Sequence, residues 1–176
     1  MKSMKKLLIV VDMQKDFVDG ALGSKEAVAI VDNVVNKINT FDGDIIVTYD
    51  THRENYMETR EGKKRPVPHC IKGTDGWELD KKVQSALDGK DYITIEKPTF
   101  GSLELVEICE EEQYEQVELV GLVSNICVLS NAVLVKTALP EAEVIVDASC
   151  TACADPVMNE KALDIMEGLQ ITVINR

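Results

Sequence analysis

Short apolar runs punctuate this chain, and stretches with helical spacing separate them. Residues 6–11, Lys-Leu-Leu-Ile-Val-Val, form an unbroken run ended by Asp12. A run this short, rich in β-branched residues and stopped by a charge, reads as a strand buried on both faces of a parallel sheet. Further strands are expected at 44–49, 92–95, 117–120, 143–146 and 170–174. Val28, Val31, Val34, Val35 and Ile38 trace a helical stripe over 26–39. Helices are also predicted over 77–87, 102–112, 125–139 and 156–167. Residues 51–75 contain Gly62, Pro66, Pro68 and Gly73 without a period and read as a long loop, a feature that in compact domains usually serves function. Six strands alternating with helices predict an α/β three-layer sandwich on a six-stranded, mostly parallel sheet. The 176 residues suit one domain, 1–176, with no internal repeat or linker.

Charge narrows the partners. The chain has 31 acidic and 19 basic residues, a formal charge of -12. So negative a surface repels phosphate backbones and anionic lipids, which disfavours nucleic-acid and membrane partners but not a neutral small molecule. The glutamate-rich stretch 104–118 reads as a solvated face before a site for a basic partner. The basic residues at the N-terminus precede an apolar run too short for a signal peptide, and no segment reaches membrane-spanning length. A cytoplasmic protein with reduced thiols is expected, since five cysteines without a secretion signal do not suggest a disulfide framework. Self-association stays open.

In open α/β sheets, sites form at the carboxyl ends of strands. Four such ends carry polar residues here: Asp12, Asp50, Lys97 and the turn 121–127. A carboxylate straight after five apolar residues is costly unless paired. Cys127 is expected in the first turn of a helix capped by Ser124 or Asn125, where the helix dipole would lower the thiol pKa. Gly121 permits tight backbone geometry beside it, where N–H groups could form an oxyanion hole. Taken singly, each residue is more ordinary: a core cysteine, a loop-capping aspartate, a surface lysine. A second cluster holds both histidines of the chain, His52 and His69, with Asp50 two residues before His52 and Glu58 and Glu61 between them. Period two turns Asp50 and His52 the same way. Two histidines and two carboxylates suit Zn, Fe or Mn rather than Ca or Mg. Cys150-Thr-Ala-Cys153 spells C-x-x-C, yet it lacks a second cysteine pair and reads as buried or loop thiols.

Over nearly its full length the chain resembles the isochorismatase-like cysteine hydrolases, and among them the nicotinamidases and pyrazinamidases. The likeness rests on Val11-Asp-Met-Gln-Lys-Asp-Phe17, Asp50-Thr-His52, Pro68-His-Cys70, Gly73-Thr-Asp-Gly76 and Gly121-Leu-Val-Ser-Asn-Ile-Cys-Val128. It implies catalytic roles for Asp12, Lys97 and Cys127, and a substrate pocket lined by Phe17 and Phe100. Metal ligation is implied for Asp50, His52 and His69, with Glu61 favoured over Glu58 as the fourth ligand. It further implies a cis peptide at Leu122–Val123, an oxyanion hole from the N–H groups of Val123 and Cys127, and strand order 3-2-1-4-5-6. Many relatives have a histidine where this chain has Glu58, and an aromatic where Arg65-Pro-Val-Pro stands.

The expected activity is deamidation of nicotinamide to nicotinate and ammonia through a thioester on Cys127. A divalent metal, Zn before Fe or Mn, would orient the ring. The alternatives are a related amidase acting on carbamoyl or ureido compounds, a cysteine–histidine hydrolase using His52 or His69 as base, and a non-catalytic binding module.

Overall fold

The apolar runs fold as β1 (Lys6–Val11), β2 (Asp44–Asp50), β3 (Ile93–Lys97), β4 (Gln116–Leu122), β5 (Glu143–Ala152) and β6 (Thr172–Ile174), in a computed structural model that describes residues 2–176. They form one parallel sheet of order β3-β2-β1-β4-β5-β6. Central β1 is apolar throughout because both its faces are covered. Leu8 and Val10 enter one core, and Leu7, Ile9 and Val11 enter the other, as period two requires. On the first face pack α1 (Lys15–Val18), α2 (Lys25–Thr40) and α4 (Lys81–Leu87), which follows the short α3 (Arg60–Lys64). On the second pack α5 (Leu103–Glu112), α6 (Leu129–Ala138) and α7 (Pro156–Gly168). The expected three-layer sandwich and strand order are those observed. Among the described residues no helix is long and apolar enough to cross a membrane.

Several elements differ from the expected spans, each for a local reason. Helix α4 begins only at Lys81, because the Asp80 carboxylate accepts the N–H groups of Lys82 and Val83 and so starts the helix there. The long loop holds α3, capped by the Thr59 hydroxyl, and two short turns at Tyr56–Glu58 and Asp75–Trp77. Strand β5 runs to Ala152 rather than ending at 146. Its pairing with β4 jumps from Val146 to Thr151, so polar Asp147 and Ser149 sit in a bulge. Asp147 accepts hydrogen bonds from Ser149 and Asn175 and pairs with Lys37 of α2, which also holds Glu118. The helix expected over 125–139 is divided into a wide π-type turn, Ser124–Val128, followed by α6.

Strand β1 lies between β2 and β4, so the sequence order of the strands reverses at its carboxyl end. A crevice opens there.

Candidate active site

Asp12 directly follows β1, in the left-handed region at φ 48°, which aspartate tolerates better than most residues. Its N–H donates to the Thr48 carbonyl at 3.1 Å, and the Thr48 hydroxyl donates to Asp12 Oδ1 at 2.7 Å. Lys97, the last residue of β3, places Nζ 2.9 Å from Asp12 Oδ2. Both side chains are fully buried. The remaining Lys97 N–H directions end on the carbonyls of Thr99 at 3.2 Å and Phe100 at 2.9 Å. Burial opposes the ammonium, yet the neighbouring groups together, Asp12 foremost with Cys127 and Asp50, outweigh it and raise the Lys97 pKa. Burial likewise lifts the Asp12 carboxyl above its usual 3.8, against the pull of Lys97. A carboxyl shifted this way is a better proton acceptor than an ordinary aspartate.

Cys127 completes the group: its buried sulfur feels the charges of Asp12 and Lys97 and borders the neighbouring cavity. Residues 12, 97 and 127, from three strand tips, therefore meet. The thiol is not the pre-activated thiolate expected from a capped helix. Burial pushes its pKa well above 9.0, the Asp12 charge adds to this, and Lys97 opposes it. Neither Ser124 nor Asn125 caps the turn: no side-chain cap is made, and Ser124 Oγ and Asn125 Oδ1 are buried without a hydrogen-bond partner. The proton rests on sulfur, and a neighbouring base must remove it.

Gly121 approaches β1 so closely that a Cβ there would lie 2.1 Å from the Val11 carbonyl oxygen, and its φ is +119°. Only glycine fits. The Leu122–Val123 peptide is cis, as the resemblance implies. Val123 and Cys127 both line a cavity of about 340 Å³ together with Phe17, Phe100, Asp50, Glu61, Arg65 and His69. That volume lies within the range of small-molecule sites. A broader groove of about 600 Å³, lined by Lys15, Asp32, Asp75, Asp80 and Lys82 among others, holds none of the candidate residues.

On the far side of this cavity the two histidines meet two carboxylates. One ligand atom from each of Asp50, His52 and His69 lies within 4.8 Å of the others, all three residues buried. His52 Nε2 is 3.0 Å from Asp50 Oδ2 and 3.1 Å from Glu61 Oε2. His69 Nε2 is 3.2 Å and 3.8 Å from the same two atoms. Glu61, from α3, reaches the cluster, and Glu58 is exposed. His69 Nδ1 lies 2.8 Å from the Val67 carbonyl. A carbonyl only accepts, so Nδ1 carries a proton, and Nε2, which faces the carboxylates, is the nitrogen a metal would take. Asp50 Oδ1 is buried with no partner. Burial works against charge on His52, but Asp50 and Glu61 outweigh it and raise its pKa to about 9. Burial pushes Asp50 upward, while hydrogen bonds from His52 and His69 hold it at about 2. The donor set demands a cation and fits a divalent metal.

Three supporting residues gave no signal in the sequence. Gln14, fully buried, donates to the Asp50 and Trp77 carbonyls at 2.9 Å each and accepts the Asp50 N–H at 2.8 Å, clamping that backbone. Tyr56 packs edge-on against both histidine rings. Asn131 is buried one turn beyond Cys127. Only the closeness of Gln14 to Asp12, and of Asn131 to Cys127, could have marked the two amides. All five cysteines are free; Cys150 is buried in the core, whereas Cys153 lines the cavity.

A family model described as the Isochorismatase domain matches residues 6–176. The chain is 32% identical over 143 residues to an "Uncharacterized isochorismatase family protein PncA" of Bacillus subtilis, covering 74% of this chain and 78% of that protein. Among solved structures, nicotinamidase/pyrazinamidase PncA from Bacillus subtilis superposes with TM-score 0.86 at 26% identity, over 97% of this chain and 99% of that one. The pyrazinamidase of Pyrococcus horikoshii in complex with zinc gives TM-score 0.77 at 26% identity, over 98% and 99%.

Proposed function

The chain belongs to the isochorismatase family and is a hydrolytic amidase, and from that premise we propose that it deamidates nicotinamide through a thioester on Cys127. The observation that carries the reading is the buried Asp12–Lys97 pair set against the Cys127 thiol at the edge of a small cavity.

Asp12 takes the thiol proton as the sulfur attacks the amide carbon. Lys97 keeps its charge throughout and offsets the negative charge as it moves from carboxylate to sulfur. The N–H groups of Val123 and Cys127 hold the oxyanion, each such donor being worth about 100- to 1000-fold in rate. Asp12 then gives its proton to the departing nitrogen, the C–N bond breaks, and ammonia leaves the thioester. Water attacks next, Asp12 accepting its proton; the C–S bond breaks, the sulfur recovers a proton, and the acid is released. Asp50, His52, Glu61 and His69 would hold a divalent metal, which supplies a Lewis-acid anchor for the ring nitrogen. Zinc leads, on its fit to nitrogen and carboxylate donors and on the zinc complex of the Pyrococcus pyrazinamidase. Phe17 and Phe100 flank the ring. Both histidines face Asp50 and Glu61, while Asp12 is the charge that acts most strongly on the Cys127 thiol, which favours a carboxylate base over a histidine one.

Ammonia release tests the reading. Nicotinamide and pyrazinamide are expected to yield ammonia, and carbamoyl and ureido compounds are not. Chelation is expected to raise KM or abolish turnover, with recovery on adding Zn, Mn or Fe. Folded, metal-loaded protein that released ammonia from no amide would overturn the assignment. Metal removal that left both KM and turnover unchanged would overturn the orienting role.

A further inference from the structure

Asn131 lies on α6, four residues after Cys127, with no exposed surface. Its amide is fully used. Nδ2 donates to the Cys127 carbonyl at 2.8 Å and to the Phe100 carbonyl at 3.0 Å, and Oδ1 accepts the Ser102 N–H at 3.0 Å. Two carbonyls can only accept and one N–H can only donate, so a single amide orientation satisfies all three. The Phe100 carbonyl also accepts from Lys97 Nζ at 2.9 Å. A continuous hydrogen-bonded path therefore runs from the backbone of Cys127, through Asn131 and the Phe100 carbonyl, to the ammonium of Lys97 and on to Asp12.

The bond to Cys127 alone does not require an amide. On the same helix, Thr137 bonds the carbonyl four residues back with its hydroxyl at 2.8 Å. What the longer, two-ended side chain adds is the link to the loop 99–102. That loop supplies two of the three acceptors that fix the head of a long, flexible lysine. The turn holding Cys127 lacks a side-chain cap of its own, so its placement depends on such links. Taking Lys97 and Cys127 as working partners, as proposed above, we infer that Asn131 is a positioning residue that sets the spacing between the Cys127 sulfur and the Lys97 ammonium by tying their two segments together.

The test uses Asn131→Thr, which keeps the bond to the Cys127 carbonyl but cannot span to Ser102 and Phe100, and Asn131→Leu, which loses every bond while keeping the branched side-chain outline. Steady-state ammonia release gives kcat and KM. Without substrate, alkylation of Cys127 by iodoacetamide at fixed pH is followed by peptide mass spectrometry, with Cys153 of the same cavity as internal control. In both variants kcat is expected to fall about 10- to 100-fold with KM nearly unchanged, and Cys127 alkylation to slow while that of Cys153 does not. A merely structural role would lower the melting temperature and leave the folded protein with wild-type kcat and alkylation rate. That result would overturn the inference. Should Asn131→Leu fail to fold, Asn131→Thr carries the test, because the helix keeps its bond. Failure of the underlying reading is separate: it would show as an active Cys127→Ala protein, whereas a dead Cys127→Ala protein beside a normal Asn131→Thr one refutes the positioning role alone.

Discussion

Asp12 has two demands placed on it. It must exist as a buried carboxyl at the end of an apolar strand, and it must be able to take a proton from sulfur. Lys97 meets the first, at 2.9 Å and without solvent. Burial meets the second by lifting the carboxyl above its normal value. The thiol itself is shifted the wrong way for spontaneous ionisation, so the reaction depends on the base, not on a standing thiolate. Asp12→Asn keeps the size and the tolerance of a left-handed backbone while removing the proton acceptor. It is expected to lower kcat at saturating amide by about 100- to 10,000-fold, and to lower the melting temperature as well, because the buried Lys97 ammonium loses its counter-charge. Ammonia release within a few-fold of wild type would show that another group takes the proton.

Among elements, the ends of β1 and β4 approach each other too closely for any side chain at residue 121. Gly121→Ala would drive a methyl into the Val11 carbonyl, one residue from Asp12, at a positive φ. A loss of about 3 kcal/mol in urea denaturation is expected, and an unchanged midpoint would contradict so close an approach. The strands were legible in the sequence wherever they were apolar, as at 6–11 and 117–120. The second half of β5 was not, because Asp147 and Ser149 look like a loop until Lys37 and Asn175 are seen to satisfy Asp147. The acidic and histidine residues of the site stood out at strand ends. Gln14 and Asn131 did not, since a buried amide leaves no periodic trace and its partners are backbone groups distant in sequence. The sequence around Cys127 predicts a capped helix, whereas the backbone takes a wider path and leaves Ser124 and Asn125 without capping bonds.

At the scale of the whole molecule, the order β3-β2-β1-β4-β5-β6 brings together residues 85 and 30 positions apart in the chain, since Asp12, Lys97 and Cys127 follow β1, end β3 and follow β4. The formal charge of -12 leaves a neutral amide free to approach and repels the anionic acid formed from it, so the field of the protein favours turnover over product retention. All of this converges on one covalent event at Cys127. The direct measurement is intact-protein and peptide mass spectrometry of enzyme quenched by acid within milliseconds of mixing with nicotinamide. The account predicts a mass increase equal to the amide less ammonia, carried by the Cys127 peptide and lost in Cys127→Ala together with ammonia release. A Cys127→Ala protein that still released ammonia at the wild-type rate would contradict it.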